Sequence, residues 1–546
     1  MEFSKKPDVL DEKTRVKEAA SSEKHAWVRL THVCNNNCVF CLDKSNQDGT
    51  VLPFDELVEE FRRGREDGAT RLILSGGEAT MHPRFIDLVR EGSRLGFRRV
   101  QVVSNGRMFA YRKFLEQAIK AGLGEITFSM HGHTPELHDA QTRIKGSFVQ
   151  ALAGIINALD SGKLIVNVDI VINRFNYKVI DKIMDFFIGV GIREFDLLHV
   201  TPFGEAWTNR RKVMYDPAEG IKYINKAFEY SRRPDLFVWT NRFPPKYLSA
   251  FPELIQNPLK IKDEVRGRMN MYTPYLEEGV PLRCRDERCK YCFMEGLCDE
   301  LMKVERQLKE GVTSLRVSAA SIEDAFDVLD TRELKRLCVH SDDIPAGELE
   351  FPSLKSIKEI ELELNNYDGL DELAGAVPGI DIIARTAEIE EFEKIRKSRS
   401  NVMSMLELNV STQEFIRENR AELKKGKTRI FVTNREDLAE SSARDVVLRE
   451  FFDEESLRVL PTENVPGCVV DAPARKRPWF LDFGSLNADG SINMQMLAHE
   501  YIMNRYYVFQ AECGGCTKKR YCPGVHVNYF RAHGFEAVPF RKNKLK

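Results

Sequence analysis

The sequence predicts an α/β protein whose first half contains a parallel β-sheet. Between about residues 26 and 200, apolar stretches alternate with amphipathic helical stretches. Near-continuous apolar strands separated by helices are typical of parallel sheets that are covered on both faces. Six βα units in this space fit an open sheet or a partial barrel, with every strand ending at the same edge. The predicted strands are 26–32, 70–76, 98–105, 125–131, 164–172 and 194–200.

The composition is that of an ordinary globular protein. The chain has 546 residues and a formal net charge of -2, which predicts no nucleic-acid partner and no attraction to an anionic membrane. Its charged start lacks the apolar core of a signal peptide, and no segment approaches the roughly 20 apolar residues of a membrane span. We therefore expect a cytoplasmic protein.

The second half shows a different pattern. Short strands recur every 20–28 residues between about 312 and 460, which indicates a repetitive βα array; one irregular α/β domain is the alternative. We expect Cys338, on one of these strands, to be a small buried apolar residue. The predicted strands are 314–318, 335–340, 360–364, 380–384, 405–410, 429–433 and 457–461.

These patterns divide the chain into five predicted segments. They are a charged arm at 1–25, the partial barrel at 26–240, a connector with cysteines at 241–311, the repetitive α/β domain at 312–460 and a cysteine-rich segment at 461–546.

Twelve cysteines are the most unusual feature of the sequence. Because the chain has no secretory signal, metal or iron–sulfur ligation is a better interpretation than a disulfide framework. Apart from Cys338, they fall into three groups: Cys34, Cys38 and Cys41; Cys284, Cys289, Cys292 and Cys298; and Cys468, Cys513, Cys516 and Cys522.

The first group has three cysteines and follows the first predicted strand. Thiolates at i, i+4 and i+7 can surround one face of a cubic iron–sulfur cluster and leave one iron without a protein ligand. An open position usually marks a metal that binds substrate. The alternative is a zinc site whose fourth ligand is His32 or His131.

This C-x3-C-x2-C motif, with Phe40 before its last cysteine, resembles the radical S-adenosylmethionine (radical SAM) superfamily. The GGE sequence Gly76–Glu78 at the end of the second strand resembles the second motif of that family. The resemblance covers about residues 26–205 and implies a partial (β/α)6 radical SAM barrel. Further landmarks at strand ends are Ser104, Asn105, Gly106, Ser129, Pro202 and Gly204.

The resemblance implies a [4Fe–4S] cluster that binds SAM at its open iron. It implies reductive cleavage of SAM to methionine and a 5'-deoxyadenosyl radical, with electrons from a donor such as flavodoxin or ferredoxin. Arg143 either helps to bind the SAM carboxylate or forms a surface salt bridge. The implied SAM contacts are the backbone near Phe40 for the adenine, Gly76, Gly77 and Glu78 for the amino group, and Ser104, Asn105 and Ser129 for the ribose or carboxylate.

The remaining two cysteine groups share a C-x2-C-x5-C pattern that resembles the SPASM and twitch extensions of radical SAM enzymes. This implies one or two auxiliary [4Fe–4S] clusters, with structural zinc as the alternative. In the last group, Cys468 and His526 compete as the fourth ligand. The sequence departs from the SPASM pattern at Gln495, which replaces the cysteine expected after the Gly490 hairpin, and in the long insertion between the groups.

The leading hypothesis is a radical SAM enzyme that modifies a peptide or protein side chain. The 25 residues before the first strand are too few for a separate leader-peptide domain, which speaks against it. An enzyme acting on a small metabolite is the second hypothesis, and a non-catalytic zinc-binding interaction protein is the third. No catalytic acid or base is identified from the sequence.

Overall fold

The computed structural model describes residues 10–282, 284–344, 356–472 and 475–538. These residues divide into two compact units. The N-terminal unit consists of residues 12–257 and 287–293, and the C-terminal unit consists of residues 10–11, 258–286 and 294–538. The ends of the predicted first and last segments, 1–9 and 539–546, lie outside the described residues. The first compact unit thus extends beyond residue 240, where the predicted partial barrel ends.

The N-terminal unit is built on a seven-stranded parallel sheet in sequential order, which confirms the predicted partial barrel. All six predicted strands are present, and β7 adds a seventh. This strand escaped prediction because it is short and directly precedes the proline-rich connector. The strands are β1 (His25–Arg29), β2 (Arg71–Ser75), β3 (Arg99–Ser104), β4 (Leu123–Ser129), β5 (Ile165–Ile172), β6 (Glu194–His199) and β7 (Phe237–Asn241).

Amphipathic helices connect these strands. On the first connecting helix, Leu57, Val58 and Phe61 are buried while the acidic and basic residues face outward. The charged N-terminal arm also contains a helix, whose Lys17 Nζ donates to the Val238 carbonyl of β7 at 2.8 Å. The helices are α1 (Glu12–Ser22), α2 (Phe54–Glu66), α3 (Phe85–Arg94), α4 (Arg112–Ala121), α5 (Pro135–Thr142), α6 (Ser147–Asp160), α7 (Ile180–Val190), α8 (Gly204–Thr208), α9 (Arg210–Val213) and α10 (Pro217–Phe228).

The C-terminal unit contains an eight-stranded parallel sheet in the order β14-β13-β12-β11-β10-β9-β8-β15. Sequential strands are neighbours from β8 to β14, which confirms the predicted repetitive βα array. The strands are β8 (Ser314–Ser318), β9 (Arg336–Ser341), β10 (Glu359–Leu364), β11 (Asp381–Thr386), β12 (Val402–Glu407), β13 (Thr428–Phe431), β14 (Thr462–Glu463) and β15 (Leu481–Asp482).

The predicted strand at 457–461 is wrong. Residues Glu455–Arg458 form a helical turn that buries Leu457, and the strand comes later, at β14. Pro461 has no N–H to donate, and its carbonyl accepts from the Ile430 N–H of β13 at 2.9 Å. The apolar residues of this stretch are therefore buried by a helical turn, and the short strand β14 follows it.

The remaining helices of the C-terminal unit surround this sheet and the last cysteine group. A two-stranded antiparallel ribbon, β16 (Tyr507–Val508) and β17 (Val525–His526), flanks that group. The helices are α11 (Lys260–Gly267), α12 (Met269–Glu278), α13 (Glu295–Glu310), α14 (Ile322–Val328), α15 (Leu370–Ala376), α16 (Ile389–Arg396), α17 (Gln413–Leu423), α18 (Leu438–Arg444), α19 (Leu448–Phe451), α20 (Glu455–Arg458), α21 (Met494–Asn504) and α22 (Val527–His533).

Cys338 is buried on β9, as predicted, but its surroundings are charged rather than apolar. Its sulfur lies 3.7 Å from Arg477 Nη2, and the carboxylates of Glu361 and Glu363 are adjacent. The predicted burial is confirmed, whereas the charged neighbours were not foreseen, because strand periodicity does not reveal what neighbouring strands contribute to the same face.

Within the described part of the chain, none of the helices combines the length and apolar character that crossing a membrane requires.

Candidate active site

The cysteine loop follows β1 at the carboxyl edge of the N-terminal sheet. Cys34, Cys38 and Cys41 are all half-buried. The Asn36 N–H donates to Cys34 Sγ at 3.4 Å, and Gln47 Nε2 donates to Cys41 Sγ at the same distance. Hydrogen bonds to sulfur stabilise the thiolate form of cysteine, which is the form that ligates a metal.

Burial makes each of these three thiols a weak acid in the metal-free chain. It raises the pKa of Cys34 to about 11, with further contributions from the charges of Glu78 and Cys41. It also raises the pKa of Cys38, with contributions from Cys34 and Cys41, and that of Cys41. The charge of Cys41 acts on Cys34, and the charges of both act on Cys38, so the fold brings the three thiols near one another. Metal binding must therefore displace protons from them.

The GGE loop after β2 is hydrogen-bonded to the segment just before Cys34. The Gly77 N–H donates to the Thr31 carbonyl and the Glu78 N–H donates to the Val33 carbonyl, both at 2.8 Å. A Cβ at Gly76 would lie 2.5 Å from the Thr31 oxygen, and one at Gly77 would lie 2.5 Å from the Val33 oxygen. The two glycines thus permit close contact between the two loops, a structural reason that the motif alone did not reveal.

Glu78 is buried and its carboxylate accepts four hydrogen bonds. Oε1 accepts from the Thr80 N–H at 3.1 Å, the Thr80 hydroxyl at 2.5 Å and the Ser104 hydroxyl at 2.8 Å. Oε2 accepts from the Asn105 N–H at 2.7 Å. The side chain of Glu78 therefore joins the loop after β2 to the loop after β3, and three predicted SAM contacts lie in one network.

Asn105 extends this network back to the cysteine loop, since its Nδ2 donates to Asn35 Oδ1 at 2.6 Å. Arg107, which the sequence did not single out, donates to the Asn35 carbonyl and to Asn36 Oδ1, the latter at 3.0 Å. The three asparagines between Cys34 and Cys38 were the available signal for this contact, because the polar groups of a tight asparagine-rich loop need hydrogen-bond donors from nearby loops.

Phe40 contacts the loop that follows β4, and Ser129 is at the end of that strand. Phe40 is buried with its ring edge against His131, at a centroid distance of 4.6 Å. Ser129 is the last residue of β4 and is in register with Asp169 of β5. His131 Nδ1 accepts from the Val171 N–H at 3.3 Å, and His32 contacts Asp48 at 3.2 Å. Each histidine considered as a zinc ligand thus has another partner.

The loop after β6 contacts the end of the cysteine loop. The Glu205 N–H donates to the Cys41 carbonyl at 2.9 Å, and Gly204, with a φ of +53°, has no room for a Cβ beside that carbonyl. Arg143 forms a salt bridge with Glu205 at 3.1 Å and donates to Asn209 at the same distance. The structure thus contains the salt bridge that was one of the two interpretations of Arg143.

A group of carboxylates on the sheet was missed at the sequence level. Asp169 of β5 is in register with Asp196 of β6. Burial raises the pKa of Asp169 well above its usual value, and the charges of Asp196 and Glu194 raise it further. The available signal was the acidic residues within these apolar strands, one in β5 and two in β6, but only strand register shows that Asp169 and Asp196 are adjacent.

The last cysteine group gathers four thiols in the C-terminal unit. Burial raises the pKa of Cys468 to about 12, with contributions from Cys522, Cys513 and Cys516. Lys518 Nζ donates to the Gly467 carbonyl at 2.8 Å, which ties the Cys468 loop to the C-x2-C-x5-C segment.

His526, the alternative fourth ligand, is buried on β17, where its Nε2 contacts the Ile502 carbonyl at 2.7 Å. Burial lowers its pKa to about 4. The charges that act on Cys468 are those of the other three thiols, whereas His526 is affected by a hydrogen bond with the Ile502 backbone and by the charge of Arg531.

The predicted Gly490 hairpin is present, closed by a bridge between Leu486 and Ile492. Gln495 lies on α21, and its Nε2 donates to the Lys262 carbonyl at 3.3 Å.

The four cysteines of the middle group are divided between the two units. Cys284 and Cys298 belong to the C-terminal unit, and Cys289 and Cys292 belong to the N-terminal unit. The Cys298 sulfur is 3.9 Å from the Tyr272 hydroxyl.

The spacing of the thiols tests which metal group they suit. Within the described residues, only Cys338, Glu361 and Glu363 form a set of three metal-ligating side chains whose ligand atoms all lie within 4.8 Å of one another. One tetrahedral zinc ion would hold its sulfur ligands about 3.8 Å apart. Among the described residues, the sulfurs of Cys34, Cys38 and Cys41 do not all lie within 4.8 Å of one another, and neither do any three sulfurs of the last group around Cys468, so both groups are wider than the ligand set of one zinc ion. Thiolates are also the usual ligands of iron–sulfur clusters.

Residues 28–187 match the family model of the Radical SAM superfamily. This segment contains the cysteine loop, the GGE loop and strands β2 to β5, and it forms a radical SAM domain. The family binds a [4Fe–4S] cluster and SAM.

Curated relatives match the same part of the chain. A protein of Saccharolobus islandicus named "Probable GTP 3',8-cyclase" is 29% identical over 178 residues, which is 32% of this chain and 57% of the relative. One of Saccharolobus solfataricus with the same name is 28% identical over 222 residues, 40% of this chain and 69% of the relative. The chain thus spans little more than half the length of the first of these.

Among solved structures, Streptococcus suis SuiB bound to S-adenosylmethionine is similar over 44% of this chain and 56% of that chain. The TM-score is 0.36 and the sequence identity is 17%. The methylornithine synthase PylB is similar over 42% of this chain and 72% of that chain, with a TM-score of 0.32 and 16% identity.

Proposed function

We propose that the N-terminal unit cleaves S-adenosylmethionine reductively and abstracts a hydrogen atom from a peptide or protein side chain. The observation that supports the first step is a set of three gathered thiols, Cys34, Cys38 and Cys41, in a loop held by the GGE loop. When bound, a [4Fe–4S] cluster with SAM supplies one-electron cleavage of the sulfonium to methionine and a 5'-deoxyadenosyl radical. A flavodoxin or ferredoxin is the proposed electron donor.

The chain's own residues bind and orient SAM in this proposal. The Glu78 carboxylate positions the backbone of the loops after β2 and β3, so that the polar groups of both loops meet the methionyl end of SAM. Phe40 is held by His131 and places the neighbouring backbone against the adenine. The proposed SAM contacts are Phe40, Gly76, Gly77, Glu78, Ser104, Asn105 and Ser129.

The other cysteines are proposed to hold one or two auxiliary [4Fe–4S] clusters. For the last group we propose Cys468 as the fourth ligand, because the other three thiols influence its pKa while His526 contacts a backbone carbonyl. For the middle group, the spacing of Cys284, Cys289, Cys292 and Cys298 supports the proposal.

The peptide or protein substrate is supported by two features of the chain. It carries cysteine groups of the auxiliary type, and the repetitive βα array offers a large surface for a macromolecular partner. A small-metabolite substrate is the second candidate, because the curated relatives are named for a reaction of GTP.

The test begins with protein purified and reconstituted without oxygen. We expect a brown protein with about twelve irons that forms 5'-deoxyadenosine when reduced with SAM, and about four fewer irons after replacement of Cys34, Cys38 and Cys41 by alanine. Cys338→Ala is the matched control and retains the full iron content. A colourless zinc protein that leaves SAM intact would refute the proposal.

The substrate class needs a separate experiment. Candidate peptides and GTP are incubated with the reduced enzyme and SAM, and products are detected by mass spectrometry. A mass change in a peptide supports the leading proposal, whereas a product from GTP and none from peptides supports the second candidate.

A further inference from the structure

The C-terminal unit contains a cavity of about 350 Å³ that the radical SAM domain does not explain. It lies where several strands of the parallel sheet end, and its walls include Thr386, Glu407 and Phe431, the last residues of β11, β12 and β13. Helix α21 and the segment around β15 form other walls. The carboxyl ends of parallel strands are a common place for ligand sites, and the volume is at the small end of the range for such sites.

Three of the arginines that line this cavity are neutralised by the protein itself. Arg385 contacts Glu361 at 2.6 Å and also contacts Glu463. Arg477 contacts Glu361 at 2.5 Å and also contacts Glu363. These guanidinium groups and their carboxylates form a preorganised floor rather than free ligand-binding charges.

Arg316 completes this floor, with Glu363 at 3.1 Å and Asp482 at 2.5 Å. Burial alone would lower the pKa of Arg316, but the charges of these two carboxylates raise it. Its charge is therefore already balanced.

Arg505 is different because its charge is poorly compensated. Its closest carboxylate oxygen among the described residues is Glu300 Oε1 at 3.7 Å, and that oxygen already accepts from the Trp479 indole N–H. Its Nη2 reaches only the Phe480 carbonyl, at 3.5 Å. Burial lowers the pKa of Arg505, whereas for the three arginines of the floor the neighbouring carboxylates outweigh burial and raise the pKa. An anionic group in the cavity would supply the partner that this guanidinium lacks.

Glu500 lies on the same helical segment as Arg505 and can offer a negative charge to a ligand. Its carboxylate accepts from Asn504 Nδ2 at 2.7 Å, and none of the ion pairs found among the described residues involves it. Burial, the charge of Asp482 and a hydrogen bond with the Asp482 carboxyl group raise its pKa to about 7, although Arg316 and the Asn504 hydrogen bond oppose this. A cationic group placed beside Glu500 and Asp482 would allow both carboxyl groups to ionise.

We propose that this cavity binds a small zwitterion of the amino-acid type, with its carboxylate on Arg505 and its ammonium on Glu500. The cavity is lined by four arginines and five carboxylates, so it would repel a polyanion such as a nucleoside triphosphate. Phe431, Phe480 and Leu497 supply an apolar surface for the side chain of the ligand. This proposal is independent of radical chemistry.

The experiment is isothermal titration calorimetry on the full chain with the twenty common amino acids. We expect at least one to bind, and we expect its N-acetyl and methyl ester derivatives, which lack one of the two charges, to bind at least tenfold more weakly. Arg505→Gln and Glu500→Gln each weaken binding of that amino acid at least tenfold. The surface variants Arg332→Gln and Glu333→Gln are matched controls and leave binding unchanged.

Three outcomes would overturn the proposal. The first is that no amino acid in the panel binds. The second is that binding persists in both Glu500→Gln and Arg505→Gln. The third is that GTP or inorganic phosphate binds through Arg505 while amino acids do not. Circular dichroism verifies that each variant is folded; because Glu500→Gln is nearly isosteric, it tests the proposal even if Arg505→Gln fails to fold.

Discussion

Replacing Glu78 by glutamine should destabilise the N-terminal unit and weaken SAM binding together. The carboxylate joins two loops by accepting from Thr80, Ser104 and Asn105. If the amide oxygen takes the place of Oε1, the amide NH2 faces the Asn105 N–H, and two donors then oppose each other. If the amide is reversed, the hydroxyl groups of Thr80 and Ser104 lose their acceptor.

The magnitude follows from these contacts. One lost hydrogen bond to a charged acceptor is worth about 1.5–3 kcal/mol, and the remaining bonds weaken when the acceptor becomes neutral. We therefore expect the free energy of unfolding to fall by about 2–4 kcal/mol. For a domain of this size, this corresponds to a decrease in Tm of roughly 5–12 °C.

Urea unfolding followed by tryptophan fluorescence measures this loss. Three of the four tryptophans, Trp27, Trp207 and Trp239, lie in the N-terminal unit, so the signal reports mainly on that unit. Glu59→Gln is the control, because Glu59 is exposed on α2 and pairs with Arg62, an interaction worth about 0.5 kcal/mol or less.

Two results would contradict this reasoning. Unchanged stability in Glu78→Gln would mean that the carboxylate does not organise the loops. Unchanged stability combined with lost SAM affinity would mean that Glu78 acts only as a direct contact to SAM. A double-mutant cycle with Ser104→Ala separates the cases, because a shared hydrogen bond produces coupling between the two substitutions.

Four further predictions address other parts of the molecule. Gly77→Ala places a Cβ 2.5 Å from the Val33 oxygen and should lower the unfolding free energy by about 1–3 kcal/mol. Gly189→Ala is the control and should not lower it, because its Cβ meets open space. Equal denaturation curves for the two variants would contradict the close contact between the loops. Cys468→Ser should remove about four irons and His526→Gln none, by iron analysis; the reverse result would identify the histidine as the ligand. The folded pKa of Glu500 is raised from 4.5 to about 7, so its ionisation costs stability as the pH rises through this interval. In urea unfolding, Glu500→Gln should therefore increase the unfolding free energy by up to about 3 kcal/mol at pH 8 but little at pH 4.5. A larger gain at pH 4.5 than at pH 8 would contradict the predicted pH dependence. Asp169→Asn should raise the Tm at pH 8, because the amide removes the cost of ionising a buried carboxyl group beside Asp196, whereas the surface control Asp160→Asn should not; equal Tm values for the two variants would contradict the raised pKa of Asp169.

Much of the candidate site was predictable because its motifs are local. The spacing of Cys34, Cys38 and Cys41 defines a three-thiol loop wherever the chain folds, and the GGE sequence lies at a strand end that apolar periodicity locates. Arg107 and the Asp169–Asp196 pair were not predictable, since each depends on which loop or strand lies beside it.

The cavity in the C-terminal unit is the clearest example of a feature that could not be predicted from the sequence. Repeating apolar stretches were sufficient to predict a βα array, because buried parallel strands need apolar residues on both faces. Whether Arg505 and Glu500 would be neutralised depends on groups that are distant in sequence, such as Glu300 and Asp482. The sequence by itself determined the order of strands and the thiols available for metal, because these follow from local periodicity and spacing. Only the tertiary structure decided which charges are paired, because pairing depends on side chains that folding brings together from distant strands.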